Sequence, residues 1–466
     1  MNLRKEAFAE MNKLQQYLEN LKGKKILVLG IGVSNRPLIR LLLAAGLDVT
    51  ACDKTPRENL DDEVLQLEKQ GAQLKVGEDY LMNLQGDVVF RTPGMHPDIP
   101  ALAALRKSGA EITSEMEVFF AVCPCKIIAV TGSDGKTTTT TLISEILKQA
   151  GYRVWLGGNI GQPLLDKAGE MSEQDMAVVE LSSFQLMTMK SSAHVAVVTN
   201  LAPNHLDMHK DMDEYVAAKE NVYLHQCAAD KLVLNQDNAI TAGFAPKAKG
   251  RLEMFSRREK VAAGCWLEGD TVYRNGKPIL TRDDIQIPGL HNVENYMAAA
   301  CATADFASDD DVLAVARTFG GVEHRIELVR NFKGVRIYND SIASSPSRTM
   351  AGLHAFDQKV ILIAGGYDKK IPFDELGVEI CDHVKALVLC GVTAEKIKTA
   401  VLNAPNYTDK LPIDTVKDLN EAVKTALKYA ENGDVVTLSP ACAAFDQFKN
   451  FMVRGKFFKQ IVAELE

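Results

Sequence analysis

Residues 126–142 read KIIAVTGSDGKTTTTTL, an apolar run followed by a glycine turn and a segment that is compatible with a helix. The β-branched residues predict a buried strand that ends at Gly132, and Gly135 then opens the helix. Backbone N–H groups and the helix dipole make such an N-terminus a binding site for anions. We therefore predict an ATP phosphate cradle, in which Lys136 reaches the outer phosphates and the Thr137 hydroxyl binds Mg²⁺.

The spacing of this motif is Gly-x-x-Gly-Lys-Thr, which is shorter than the common Gly-x-x-x-x-Gly-Lys-[Ser/Thr] form of phosphate-binding loops. The alternative is a glycine turn that carries a surface lysine and binds no ligand. The strand before the turn and the helix after it favour the phosphate cradle.

The composition is that of a soluble globular protein. The chain has 466 residues, of which 46% are hydrophobic and 24% charged, and about three domains are expected at this length. A net charge of -8 argues against a nucleic-acid partner. The nine cysteines have neither the spacing of metal ligands nor that of a disulfide framework, and no apolar run has membrane-spanning length. We expect a cytoplasmic protein that does not contact a membrane.

Short apolar strands alternate with helical segments along the chain, a pattern typical of an α/β fold with mostly parallel sheets. We predict three domains: a Rossmann-like N-terminal domain in residues 1–122, a central P-loop-type ATPase domain with a mostly parallel sheet in residues 123–322, and a C-terminal Rossmann-like α/β domain in residues 323–466. In sheets of this kind, ligands bind beyond the carboxyl ends of the strands.

The first domain opens with a buried strand and a glycine turn at residues 25–32, and its second strand ends at Asp53. An acidic residue at that place binds a ribose in dinucleotide folds. The third glycine of Gly-x-Gly-x-x-Gly is missing, because Asn35 and Arg36 fill that region. We therefore predict a nucleotide-binding domain without assigning NAD to it. A further turn, Thr92-Pro93-Gly94, is placed to face the same ligand.

In the central domain, polar side chains follow the predicted strands. Glu180 and His205 fall at strand ends, where chemistry is expected. Lys219 lies in a helical stretch, and its local sequence favours a solvated lysine. Asn292 or Asn295 either recognises a base edge or caps a helix.

The order of these motifs resembles the Mur ligases of peptidoglycan synthesis over nearly the whole chain, and the last motif resembles the glutamate-adding branch of that family. The motifs that carry the resemblance are TGSDGKTT (131–138), GGNIG (157–161), ELSSFQL (180–186), NLAPNHLDMH (200–209), AAK (217–219), GLHNVEN (289–295), HRIE (324–327), NDS (339–341) and SPACAAFDQFKNF (439–451).

The resemblance implies an ATP-dependent acid–D-amino-acid ligase of peptidoglycan precursor synthesis. Its substrates would be UDP-N-acetylmuramoyl-L-alanine and D-glutamate, joined through an acyl phosphate by an enzyme that we expect to be a monomer. ATP and two Mg²⁺ ions would be its cofactors, and Lys219 would carry a carbamate derived from CO₂. Thr137 and Glu180 would hold one metal ion, and His205 and carbamylated Lys219 would hold the other.

The motifs and the resemblance together nominate three groups of site residues. The catalytic residues would be Lys136, Glu180, His205, Lys219 and Arg325, the last of which lies at the second domain boundary and is placed to contact phosphate. ATP would be bound by Gly132, Ser133, Asp134, Gly135, Lys136, Thr137, Thr138, Asn295, Arg325 and Asp340. The other substrates would be bound by Gly32, Val33, Ser34, Asn35, Asp53, Lys54, Thr92, Pro93, Gly94, Asn159, Ser182, Lys369, Ala444, Phe445 and Phe451.

Two positions depart from the family pattern, since Ile342 stands where many members have lysine and Ala444 where many have serine. Both positions bear on contacts to phosphate or to glutamate.

The alanine-adding Mur ligase and folylpolyglutamate synthase are alternatives with the same fold, although the dinucleotide-like first domain disfavours the folate enzyme. A nucleotide-gated binding module that hydrolyses ATP is an alternative of another class. It would leave the polar turns at the strand ends of all three domains unexplained.

Overall fold

The computed structural model of the chain describes residues 11–204 and 208–466. It divides into two compact units, Met1–Thr281 with Glu294–Val315 and Arg282–Val293 with Ala316–Glu466. The described residues form three β-sheets, of which the first unit holds two and the second unit holds one. No helix among the described residues combines the length and the apolar character needed to cross a bilayer.

The first sheet has five strands, all paired in parallel: β1 Ile26–Leu29, β2 Val49–Asp53, β3 Gln73–Val76, β4 Val88–Arg91 and β5 Glu111–Thr113. Their order across the sheet is β3-β2-β1-β4-β5. The central strand β1 is buried at every position, as a parallel strand covered on both faces must be. The helices of this region are α1 Lys13–Asn20, α2 Asn35–Ala44, α3 Asp62–Lys69, α4 Pro100–Lys107 and α5 Glu115–Val122, with a 3₁₀ helix at Arg57–Asn59.

The second sheet has nine strands: β6 Lys126–Thr131, β7 Val154–Gly158, β8 Met176–Glu180, β9 Val195–Val198, β10 Lys231–Asn235, β11 Arg251–Ser256, β12 Gly264–Glu268, β13 Thr271–Arg274 and β14 Lys277–Thr281. Their order is β14-β13-β12-β11-β10-β9-β6-β8-β7, and only the two pairs at the β14 edge, β14–β13 and β13–β12, are antiparallel. The strand that feeds the glycine turn, β6, therefore lies between β9 and β8.

The helices that accompany this sheet are α6 Lys136–Gln149, α7 Ser183–Leu186, α8 Met212–Glu220 and α9 Ala239–Ala242, with 3₁₀ helices at Leu165–Glu170 and Ala245–Lys247. Two further helices, α10 Leu290–Thr303 and α11 Asp309–Thr318, follow the last strand. A single apolar cluster joins buried residues of the first sheet, such as Val28 and Phe90, to residues of the second, such as Ala129 and Val198. This shared core makes the two sheets of the first unit one packed body.

The second unit is built on a six-stranded sheet with the order β15-β16-β20-β17-β18-β19. Its strands are β15 Glu327–Phe332, β16 Val335–Asn339, β17 Val360–Ala364, β18 Val384–Leu389, β19 Ile413–Thr415 and β20 Val435–Leu438. Only β15, at one edge, is antiparallel to its neighbour. The helices are α12 Pro346–Leu353, α13 Asp374–His383, α14 Ala394–Leu402, α15 Leu419–Lys428 and α16 Phe451–Ala463, with a 3₁₀ helix at Arg282–Asp284.

The predicted α/β class is confirmed, and each of the three predicted segments contains one mostly parallel sheet. Apolar runs such as ILVL (26–29) and VILIA (360–364) become strands that are buried at every position. The exact domain boundaries stay a prediction. All nine cysteines fall within the described residues and are free thiols.

Candidate active site

The glycine turn lies between β6 and α6 in the first unit. Gly132 and Gly135 have φ angles of 149° and 75°, which favour glycine over residues with a side chain. A Cβ atom at Gly132 would collide with the Thr199 hydroxyl, and one at Gly135 would lie 2.5 Å from Asn295 Oδ1. Gly135 is the N-cap of α6, which has no side-chain cap. The N-cap side chain therefore does not occupy the first N–H groups of this helix, and an anion site needs such N–H groups for its ligand.

The end of the neighbouring strand β9 holds the turn in place. Ser133 donates its backbone N–H to the Asn200 carbonyl (2.8 Å), and Asp134 donates its own to Asn200 Oδ1 (2.9 Å). The Thr199 hydroxyl donates to the Asp134 carbonyl (2.6 Å). Thr199 and Asn200 were not among the predicted site residues, although Asn200 begins one of the quoted motifs. Their signal in the sequence was their position at a strand end beside the predicted cradle.

Lys136 is the first residue of α6, and its ammonium lies over the turn. Nζ donates to the carbonyls of Gly132 (3.0 Å) and Ser133 (2.7 Å). Thr137 and Thr138 follow in the first turn of the helix. The predicted cradle residues are thus brought together at the carboxyl end of a central strand.

Glu180 is hydrogen-bonded to two other predicted site residues, Thr137 and Asn159. It ends β8 and is 2% exposed. Its Oε2 accepts a hydrogen bond from the Thr137 hydroxyl (2.7 Å), and its Oε1 accepts one from Asn159 Nδ2 (2.8 Å). A Cβ atom at Gly158, just before Asn159, would collide with the Glu180 carbonyl, which explains a glycine there. A buried carboxylate beside a hydroxyl supplies the hard oxygen ligands that Mg²⁺ prefers.

Lys219 is 2% exposed, so the solvated lysine favoured by its local sequence is wrong. Nζ donates to the Gly132 carbonyl (2.8 Å) and to Thr131 Oγ1 (3.2 Å), and it lies 4.9 Å from the centre of the Tyr215 ring. Burial, together with the positive charge of Lys136, lowers the pKa of the Lys219 ammonium to about 7. The nearby carboxylates only partly offset this effect. Burial by distant segments is invisible in a nine-residue helix, which is why the local pattern misled.

His205 lies outside the described residues, so its prediction is untested. His209, four residues later, is 3% exposed and stacks on the Phe184 ring at 5.2 Å between centroids. Its Nε2 is 2.9 Å from the Ser183 hydroxyl. Ser182 caps α7, because its hydroxyl and the Gln185 side chain bond each other's backbone N–H groups.

The two candidate asparagines differ in their contacts. Asn292 donates its side-chain amide to the Pro288 carbonyl (2.6 Å) at the start of α10. Asn295 Oδ1 accepts a hydrogen bond from the Thr139 hydroxyl of α6 (3.1 Å) and adjoins Gly135. Asn295 therefore borders the cradle.

The predicted turns of the first sheet meet at the carboxyl ends of its strands. Asp53 Oδ2 accepts the Ile31 N–H (2.7 Å), and Asn35, which is 1% exposed, donates to the Gly30 carbonyl (2.8 Å). A Cβ atom at Gly30 would lie 2.8 Å from the Thr92 methyl carbon. Val33 is 79% exposed on the first of these turns. The other predicted substrate-binding residues of this domain lie on the same turns; they are Gly32, Ser34, Lys54, Pro93 and Gly94.

Arg91 is a buried residue that the sequence predictions missed. It ends β4 and is 1% exposed. One guanidinium nitrogen donates to the carbonyls of Pro93 (3.1 Å) and Met95 (2.6 Å), and the other to the Phe184 carbonyl and the Thr188 hydroxyl (both 3.2 Å). It therefore ties the Thr92–Gly94 turn to helix α7 and the segment that follows it. In the sequence, Arg91 directly follows the apolar run VVF (88–90), and a charge at that place was the feature that could have identified it.

In the second unit, Asp340 follows β16 and is 4% exposed. Its Oδ2 accepts from the Ser439 hydroxyl (2.8 Å), and its Oδ1 accepts from the Ile326 N–H (3.3 Å). Burial raises the pKa of the Asp340 carboxyl to about 7, although the positive charges of Arg325 and Arg348 lower it. Arg325 and Asp340, both predicted to contact nucleotide, thus share one electrostatic environment.

Arg454, on α16, is a second buried arginine that the predictions missed. Its guanidinium is within 3.0 Å of Ser341 Oγ and of the Cys442 carbonyl, and it also donates to the carbonyls of Ser341 (2.9 Å) and Ala443 (3.2 Å). Burial lowers its pKa to about 10. It fixes the turn after β20 against the turn after β16.

The predicted amino-acid-binding residues of this unit surround the same turns. Lys369 Nζ donates to the Ser344 carbonyl (3.2 Å), and the Phe451 carbonyl accepts from the Ser341 hydroxyl (2.8 Å). Ala444 is 2% exposed, whereas Phe445 is 63% exposed and packs edge-on against Tyr367.

Two family models match the chain. The Mur ligase middle domain matches residues 130–303, and the Mur ligase glutamate ligase domain matches residues 324–442. The chain is 54% identical over 462 residues to the UDP-N-acetylmuramoylalanine--D-glutamate ligase of Acetivibrio thermocellus, and 52% identical over 452 residues to the enzyme of that name from Clostridium novyi. Each match covers 97% of this chain and 99% of the relative.

Solved structures with a similar fold are more distant in sequence. The UDP-N-acetylmuramate-alanine ligase of Thermotoga maritima superimposes with a TM-score of 0.57 at 19% identity, over 94% of this chain and 99% of that chain. A UDP-N-acetylmuramoyl-L-alanyl-D-glutamate--2,6-diaminopimelate ligase gives a TM-score of 0.58 at 15% identity, over 90% and 93%. At these identities the similarity concerns the fold alone.

Proposed function

This chain belongs to the Mur ligase family, and we propose from this that it joins D-glutamate to UDP-N-acetylmuramoyl-L-alanine with ATP, in the synthesis of peptidoglycan precursors. It is an ATP-dependent ligase, and the relatives that match it over 99% of their length are named UDP-N-acetylmuramoylalanine--D-glutamate ligases. The single structural observation that supports the proposal best is the Glu180 carboxylate, which is buried and bonded to both Thr137 and Asn159 at the glycine turn.

The described oxygen donors fit a magnesium ion. Thr137 and Glu180 would hold one Mg²⁺, which would neutralise charge on the outer phosphates of ATP when bound. The resemblance to the family assigns a second ion to His205 and to a carbamate on Lys219. Carbamylation needs an unprotonated amine, and the burial of Lys219 beside Lys136 favours that form.

The residues of the chain then support a reaction in two steps. The substrate carboxylate attacks the γ-phosphorus of ATP, and ADP leaves as an acyl phosphate forms. The amine of D-glutamate attacks the acyl carbon, loses a proton, and expels phosphate to leave an amide. Lys136 and Arg325 would stabilise charge on the transferred phosphoryl group, and Asn159 would position phosphate or substrate.

Substrate recognition is proposed for the turns at the strand ends. The turn Gly32–Asn35, with Asp53, Lys54 and Thr92–Gly94, would hold the UDP portion. Ser182 would also bind substrate. Asn295 and Asp340 would contact the nucleotide of ATP, alongside the turn 132–138. D-Glutamate would lie near Lys369, Ala444, Phe445 and Phe451. We further propose the domain boundaries given above, a cytoplasmic location, a monomeric state, and no nucleic-acid or membrane partner.

An acceptor panel tests the proposal. ADP release is measured with UDP-N-acetylmuramate or UDP-N-acetylmuramoyl-L-alanine as the acid, in combination with L-alanine, D-glutamate, L-glutamate or no amino acid. The amide product is identified by mass spectrometry. We expect turnover with UDP-N-acetylmuramoyl-L-alanine and D-glutamate. Turnover with L-alanine instead would identify the alanine-adding activity, and ADP release that no amino acid changes would identify a nucleotide-gated module.

A further inference from the structure

Three side chains cluster on the surface of the second unit. His354 follows the C-terminus of α12, whereas Glu379 and His383 lie four residues apart on α13. Residues at i and i+4 face the same side of a helix. The carboxylate and the second imidazole are therefore presented together toward His354.

The distances within this cluster suit a metal ion that is bound by all three residues. His354 Nε2 lies 2.7 Å and His383 Nε2 lies 3.3 Å from the same oxygen, Glu379 Oε2. One ligand atom from each residue lies within 4.8 Å of the other two, and the imidazole centroids are also 4.8 Å apart. The side chains of His354, Glu379 and His383 are 53%, 30% and 35% exposed, so water can fill the coordination positions of such an ion that the protein leaves open.

We propose that His354, Glu379 and His383 form a binding site for a divalent transition-metal ion of the zinc class. Two imidazole nitrogens and one carboxylate oxygen are a ligand set that Zn²⁺, Co²⁺ and Ni²⁺ accept, with water in the fourth position. Mg²⁺ prefers oxygen ligands, so this site differs in chemistry from the one around Glu180.

The position of the cluster gives the bound ion a structural consequence. Helix α12 ends at His354 and carries Thr349, whose hydroxyl contacts Ser439 (3.0 Å) and accepts the Ala441 N–H (3.0 Å). A Cβ atom at Gly352 of the same helix would lie 2.9 Å from Asp340 Oδ2. An ion that joins His354 to α13 therefore stabilises the helix that packs against Asp340.

Zinc binding to the full chain tests the proposal. Isothermal titration with Zn²⁺ compares the parent with the double variant His354→Gln/His383→Gln and with the control His225→Gln, which alters an exposed histidine elsewhere. All carry Cys227→Ser, because an exposed free thiol can itself bind zinc. We expect one equivalent to be lost, or its affinity to fall at least about tenfold, in the double variant alone. Equal stoichiometry and affinity in all three proteins would overturn the proposal.

A second measurement needs no change to the cluster and so does not depend on how the double variant folds. The Cys227→Ser protein is treated with diethylpyrocarbonate, with and without Zn²⁺, and each histidine is quantified by peptide mass spectrometry. Zinc should protect His354 and His383 but not His225. The Co²⁺ complex should show d–d bands without sulfur-to-cobalt charge transfer. Absence of this protection, or sulfur ligation of the ion, would show that the three residues form only a hydrogen-bonded link between helices.

Discussion

Replacing Gly135 by alanine should impair ATP use far more than a glycine replacement at the other end of the same helix. Gly135 and Gly151 flank α6, with φ angles of 75° and 91°. Alanine in a left-handed backbone costs about 1–2 kcal/mol, so both substitutions share that cost. Nothing lies within 4 Å of a Cβ at Gly151, whereas a Cβ at Gly135 meets Asn295 Oδ1 at 2.5 Å. Gly151→Ala is therefore a matched control.

The additional cost at Gly135 comes from the displaced Asn295 side chain. Its hydrogen bond with the Thr139 hydroxyl, 3.1 Å long, must break, which removes about 0.5–1.5 kcal/mol. We expect Gly135→Ala to lower the free energy of unfolding by roughly 1.5–3.5 kcal/mol, against about 1–2 kcal/mol for Gly151→Ala. Because Gly135 precedes Lys136, only Gly135→Ala should also reduce kcat/KM for ATP, by about tenfold or more.

Urea unfolding measures the two free energies, and ADP release at varied ATP measures kcat/KM. Adding Asn295→Ala to each variant completes a double-mutant cycle. The clash predicts that the loss of stability from Gly135→Ala shrinks in the Asn295→Ala background, while that from Gly151→Ala does not change. If Gly135→Ala and Gly151→Ala match in both stability and kcat/KM, the steric argument for the turn is refuted.

Three further predictions concern buried charged groups. Lys219→Ala should abolish ligase activity, and removal of CO₂ should weaken the wild type; active protein without a ¹³C-carbamate NMR signal in labelled bicarbonate would contradict this. Asp340 has a pKa of about 7 in the folded state and about 3.9 unfolded, so its protonated form stabilises the fold at low pH and this stability is lost as pH rises from about 4 through 7. Asp340→Asn should remove up to roughly 4 kcal/mol of that pH dependence. The free energy of unfolding is measured by urea denaturation between pH 4 and 8, and the same change with pH in both proteins would contradict the prediction. Arg454→Met leaves several buried oxygens without donors and should cost about 2–4 kcal/mol of stability, whereas Lys456→Met on the exposed side of the same helix should cost less than about 0.5 kcal/mol; equal melting temperatures would contradict this.

The local features of the site were predictable from the sequence. A β-branched run, a glycine turn and a helix start are encoded within 17 neighbouring residues, and the structure places β6, the turn and α6 there. The alternation of apolar runs with helices likewise predicted parallel sheets. These features depend on backbone preferences and hydrophobic periodicity, which act among residues that are close together in the sequence.

The contacts that make the site were decided by tertiary structure. Glu180 bonds Thr137 and Asn159, which lie 43 and 21 residues before it, because β6, β7 and β8 bring their carboxyl ends to one edge of the sheet. Arg91 and Arg454 were missed for the same reason, since each donates to a carbonyl from a distant part of the chain, Phe184 for Arg91 and Ser341 for Arg454.

By itself, the sequence determined the glycine turn, the α/β alternation and the order of family motifs, because each is written in adjacent residues. Only the folded chain decided that Lys219 is buried beneath that turn and that His354 meets Glu379 and His383. The physical reason is that burial and side-chain proximity depend on segments far apart in the chain, whose distance no local pattern records.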